Sequence, residues 1–182
     1  MSALFVITLF GNPEDEKRLR SICVHEAGHH VVAAAYGLNP RAAIGGIGSG
    51  ACLHERGNGL QNAAVSWAGV MAEDLLGCRN EARVLPCVAL TAPTFLDWIH
   101  AMLYVGGLEE FEIVSKPDVA GIQAYPDKRE SAESAFLILA NRLDTLQWKA
   151  ERLADASRDI YRASKLRNDF QADEANLLFS LR

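Results

Sequence analysis

The chain has 182 residues, with 23 acidic against 18 basic side chains and a formal net charge of −5. At 49% hydrophobic and 23% charged it has the composition of an ordinary globular protein with enough apolar residues for a core. Its acidic side chains are dispersed and no basic stripe accompanies them, which argues against a nucleic-acid partner. No run approaches the roughly 20 apolar residues that a membrane span requires.

The apolar run 3–10 reads as a first β-strand, since it carries no basic leader and no small-residue cleavage site. Gly11-Asn12-Pro13 is a turn, and 14–18 either opens the first helix or precedes it. From 19 to 36 the apolar positions Ile22, Val31, Val32 and Ala35 recur with helical spacing, and Gly37-Leu38-Asn39-Pro40 supplies the stop. Residues 41–59 are rich in glycine and predict short strands, one hairpin among them. No Gly-Lys-Ser/Thr follows those glycines, so a nucleotide-binding P-loop is unsupported.

A second helix over 60–76 is apolar around most of its circumference (Val65, Trp67, Val70, Met71, Leu75, Leu76) and belongs in the interior, with Gly77 ending it. A third helix is expected over 94–105, stopped by Gly106-Gly107, and a loop containing Pro117 and Pro126 follows. Asp127 with Glu130 then resembles a capping box. Beyond it Phe136, Leu139, Leu143, Leu146, Ala150, Leu153, Ser157 and Ile160 alternate in steps of three and four. That pattern describes two packed helices or a coiled-coil seam to another copy of the chain. The expected fold is mainly α with some β (α+β): a core over 1–115 with a small hairpin, and a helical extension over 116–182 that packs on the core or serves oligomerisation.

The four cysteines (Cys23, Cys52, Cys78, Cys87) form no Cys-x-x-Cys pair. They read as reduced residues of a cytoplasmic protein rather than a zinc knuckle or disulfide framework.

The chemistry concentrates in His25-Glu26-Ala27-Gly28-His29. On a helix, a spacing of four returns to nearly the same face, so both imidazoles can reach one metal ion. Glu26, beside the first, can then serve as general base, the arrangement of zinc hydrolases. A catalytic zinc needs a third protein ligand. The extended motif would place a histidine at position 35, which is Ala35. Glu73 on the second helix and Asp97 on the third remain as alternatives. Glu73 could equally orient a ligating histidine through its other ring nitrogen.

Among the remaining candidates, His30 lies about 100° around the helix from His29 and faces elsewhere. His54 falls in the hairpin region, His100 lies one turn after Asp97, and Trp67 and Trp98 read as core. Cys23 sits about 200° around the helix from His25 and points away from a bound ion.

Cys23-Val24-His25-Glu26-Ala27-Gly28-His29 resembles the zinc helix of the FtsH-type AAA+ membrane proteases. Ala68-Gly69-Val70-Met71-Ala72-Glu73-Asp74-Leu75-Leu76-Gly77 is similar to that family's next motif, a small-residue helix ending in Ala-Glu-Glu-Leu and a glycine. Thr91-Ala92-Pro93-Thr94-Phe95-Leu96-Asp97 matches the family's following turn, with its glycine replaced and the spacing to the aspartate one longer. The resemblance spans about 22–107. It implies a helical zincin-like peptidase domain with Zn2+ on His25, His29 and Asp97, Glu26 as the catalytic base, and a peptide or unfolded protein as substrate. The family's ATPase module and membrane anchor have no counterpart in these residues, which predicts ATP-independent cleavage of exposed or unfolded segments. The competing expectation is a non-catalytic relative serving as an interaction or assembly module.

Overall fold

The structure, a computed structural model, describes residues 13–46, 49–77 and 116–159. Among the described residues it is mainly helical, with five helices and one two-stranded antiparallel hairpin. The first strand expected over 3–10, the third helix over 94–105, and with them Asp97, Trp98 and His100, lie outside the described residues.

Helix α1 runs Pro13–Ala35. Proline suits a first helical position, where its missing N–H would have no intrahelical partner anyway. The other end closes with a Schellman turn: Leu38 N donates to Ala33 O and Gly37 N to Ala34 O, both at 3.0 Å. Gly37 takes the left-handed φ of +72° that this turn demands, and Leu38 tucks into the core. Strands β1 (Arg41–Gly46) and β2 (Ser49–Leu53) follow, paired from Arg41↔Leu53 to Gly46↔Ser49 with an irregularity between Ile44 and Gly46.

Helix α2, Gly59–Leu75, begins with a full capping box: Asn58 Oδ1 accepts from Gln61 N, and Gln61 Oε1 accepts from Asn58 N, both at 2.9 Å. Eleven of its residues, Trp67 among them, are buried, as an all-round apolar helix requires. Helix α3 is Lys116–Gln123. The expected loop at Pro117 is therefore a helix up to Gln123. Pro117 stands in its first turn, where a ring nitrogen without hydrogen sacrifices no bond.

Helix α4, Lys128–Ala140, is capped by Asp127, whose Oδ1 accepts from Glu130 N at 2.9 Å. A turn at 141–142 separates it from α5, residues 143–159. The long apolar seam is thus divided between two helices, the first of its two readings. Leu139, Leu146 and Ala150 are buried within the protein's own core, while Leu143 is exposed.

One hydrophobic cluster joins all five helices: Val24, Ala27, Val31 and Val32 of α1, Val65, Trp67, Ala68, Val70, Met71 and Ala72 of α2, Ile122 of α3, Ala132, Ala135 and Leu139 of α4, and Leu146 and Ala150 of α5. At its centre α1 crosses α2 at very short range. A methyl group on Gly28 would strike the Ala68 carbonyl and lie 2.7 Å from Ala72 Cβ. Two backbones can approach this closely only where a side chain is missing.

Candidate metal centre

The crossing brings α2 against the face of α1 that carries the histidine pair. A methyl on Gly69 would lie 2.5 Å from His25 Nε2 and 2.6 Å from His29 Nε2. The absent side chain at Gly69 is therefore the space in which both imidazoles converge. The rings stand edge to face with centroids 4.7 Å apart.

Each imidazole has one nitrogen engaged by the protein. His25 Nδ1 lies 2.7 Å from Glu73 Oε1, and His29 Nδ1 lies 2.6 Å from the Val65 carbonyl oxygen. Both partners only accept, so each Nδ1 carries the hydrogen and, in the neutral ring, each Nε2 presents its lone pair. Ser21 Oγ donates to the other oxygen of Glu73 at 3.3 Å, steadying that carboxylate from a buried position. Of the two roles weighed for Glu73, the structure places it behind His25, on Nδ1, rather than beside the pair of Nε2 atoms.

Among the described residues, the carboxylate that reaches both Nε2 atoms comes from Asp118, in the first turn of α3. Its Oδ2 lies 3.4 Å from His25 Nε2 and 3.6 Å from His29 Nε2. These separations are long for hydrogen bonds. Ligands held about 2.0–2.2 Å from a tetrahedral zinc lie roughly 3.4 Å from one another, so they suit donors that share a cation. His25, His29 and Asp118 form a group whose ligand atoms all fall within 4.8 Å, so together they could hold a metal ion.

Asp118 was not among the candidates drawn from the sequence. Its signal was Lys116-Pro117-Asp118, proline followed by an acid at the opening of a helix, where a carboxylate also faces the positive end of the helix dipole. His30 and His54 stay out of this candidate group, and His54 Nδ1 instead donates to the Glu55 carbonyl at 2.8 Å.

Burial disfavours a charge on His25, but hydrogen bonds and charge from Asp118 and Glu73 overcome it and push its pKa up to about 10. Two carboxylates on one imidazole make a cavity that holds positive charge. Glu26 lies one residue along, buried, and that burial raises its carboxyl above the ordinary range while His29 and His25 oppose the rise. A carboxylate moved upward in this way is better matched to accepting a proton near neutrality.

Cys23 is buried against Leu19 and Ala154, away from the histidine pair, as its place on the helix predicts. Cys23 and Cys52 are both free thiols. No described helix is long and apolar enough to cross a membrane. Comparison of the chain with protein-family models, with curated proteins and with solved structures finds no match.

Proposed function

We propose that this protein is a zinc-dependent hydrolase of peptide bonds, related in its site to the FtsH-type peptidases, with Asp118 as the third protein ligand beside His25 and His29. The observation that carries the reading is the division of labour at the two imidazoles: each Nδ1 is held by an acceptor at 2.6–2.7 Å while both Nε2 atoms turn toward one carboxylate oxygen. Histidines that bind metals are commonly oriented in this manner. Two imidazoles and a carboxylate suit zinc and leave its fourth position open for reaction.

Bound there, zinc would supply Lewis acidity, polarising a carbonyl and acidifying water toward pKa about 7. Glu26 takes a proton from the water that attacks the scissile carbonyl and delivers it to the departing amide nitrogen. Glu73 keeps His25 in the correct tautomer, and the Val65 carbonyl does the same for His29.

The test is metal content and cleavage of a reduced, alkylated polypeptide by wild type and three variants. Wild type should bind one zinc per chain and cleave. Glu26→Gln should keep the zinc and lose cleavage by at least about 10²-fold. Asp118→Ala should lose both, whereas Asp97→Ala should retain both. Zinc binding that survives Asp118→Ala but not Asp97→Ala would return the third ligand to Asp97. Cleavage by Glu26→Gln would remove this mechanism.

A further inference from the structure

Strand β2 lies directly on the Glu26 side chain, and the contact is made at a glycine. A methyl group on Gly50 would fall 2.6 Å from Glu26 Cγ, 2.8 Å from Glu26 Oε1 and 2.9 Å from Ile22 Cγ2. Glu26 and Ile22 are one turn apart on α1, so the backbone of Gly50 rests in the notch between them. Gly50 is itself fixed from the other side by its pairing with Ile44 of β1. Alternation along the strand puts Cys52 on the same face as Gly50, and Ala51 and Leu53 on the opposite, exposed face. The partners of the two imidazoles, Glu73 and Asp118 on His25 and the Val65 carbonyl on His29, come from α2 and α3 rather than from this strand.

We infer that Gly50 is a positioning residue: its bare backbone clamps the Glu26 carboxylate toward the histidine pair, so the β1–β2 hairpin sets the general base independently of the metal ligands. The inference rests on the hydrolase reading for Glu26. It goes beyond that reading by assigning the base's geometry to a separate element. The helix delivers Glu26 to the site's edge, and the strand removes the carboxylate's remaining freedom. A Cβ in this notch must displace Glu26 or the strand by about 1 Å to reach ordinary contact. A misplacement of that size at a reacting group lowers rate by roughly 10²-fold.

The experiment compares wild type, Gly50→Ala, Ala51→Ser, Ile22→Ala and the double variant Gly50→Ala/Ile22→Ala. Gly50→Ala should lower kcat about 10²-fold, with KM and zinc affinity within about threefold of wild type. Ala51→Ser, on the far face of the same strand, should match wild type. Removing Cγ2 of Ile22 frees the other wall of the notch, so the double variant should recover most of the lost kcat relative to Ile22→Ala.

A second readout needs no turnover. Acetohydroxamate, a chelator whose acidic proton a neighbouring carboxylate can accept, is titrated against the Co2+-loaded protein and followed by visible absorption. Gly50→Ala and Glu26→Gln should each weaken its binding about tenfold or more with Co2+ affinity unchanged. Should wild type fail to cleave peptides while this pattern holds, the hydrolase reading falls and the clamp stands. Wild-type kcat or hydroxamate affinity in Gly50→Ala would overturn the clamp, as would a loss matched by a fall in metal affinity or unrelieved by Ile22→Ala.

Discussion

Each imidazole of the pair divides its nitrogens between the protein and the cavity, and that division makes a testable claim about Glu73. Its carboxylate engages Nδ1 of His25 rather than Nε2, and fixes the ring through that 2.7 Å bond. Outer partners of this type change metal affinity by about 10–100-fold when removed. Glu73→Ala should therefore weaken zinc within that range, less than Asp118→Ala, as read by competition with a chromogenic chelator. Cys23 carries the pH prediction. Burial raises its thiol from 9.0 to about 11, against a lowering hydrogen bond from Ser157. The folded state favours the neutral thiol, so this contribution to stability is complete below pH 9 and is lost as pH rises toward 11. Urea midpoints of wild type should fall relative to Cys23→Ala across that window. At this scale the convergence of His25 and His29 was legible because a spacing of four puts them on one helix face. Asp118 was not, since a contact between residues 93 apart in sequence leaves no periodic trace.

The crossing of α1 and α2 depends on two glycines with different tasks. Gly28 lets the helices touch, with the Ala68 carbonyl and Ala72 Cβ lying where its side chain would be. Gly28→Ala overpacks that contact and should destabilise the fold by about 1–3 kcal/mol, measured by chemical unfolding of the metal-free protein. Gly69 instead makes room for the rings. Gly69→Ala places a methyl among both Nε2 atoms, so its larger effect should appear in metal titration, as the loss of stoichiometric zinc binding. If the two substitutions reduced stability and zinc affinity in equal proportion, the separation of roles would be wrong. The helices themselves were readable to within a few residues wherever the chain carries end signals: Gly37 after α1, Gly77 after α2, and Asp127 before α4. Helix α3 leaves little trace in the sequence because eight residues interrupted by Gly121 present too few turns for a period to emerge, and a proline such as Pro117 marks a loop as readily as a helix start.

Across the whole molecule, the candidate centre joins parts of the chain that are far apart in sequence. Two donors come from α1 and the third from α3, whose Ile122 is buried in the same core as α1 and α2. The apolar periodicity after residue 130 announced helices but not their partners. Only packing shows that Ala132, Ala135, Leu139, Leu146 and Ala150 close the core around the histidine helix. A cation held by His25, His29 and Asp118 would therefore act as a cross-link between α1 and α3 present only in the folded protein. Free zinc at 100 times its Kd should add about 2.7 kcal/mol to the unfolding free energy, the linkage expected for one site absent from the unfolded chain. The gain should vanish in Asp118→Ala. Hydrogen exchange should locate the effect: chelation should raise exchange in α3 more than at the α1–α2 crossing, because Ile122 anchors α3 on one side while Asp118 ties it on the other. Equal loosening of both regions would mean that the ion stabilises the fold generally, and the specific tie through Asp118 would be refuted.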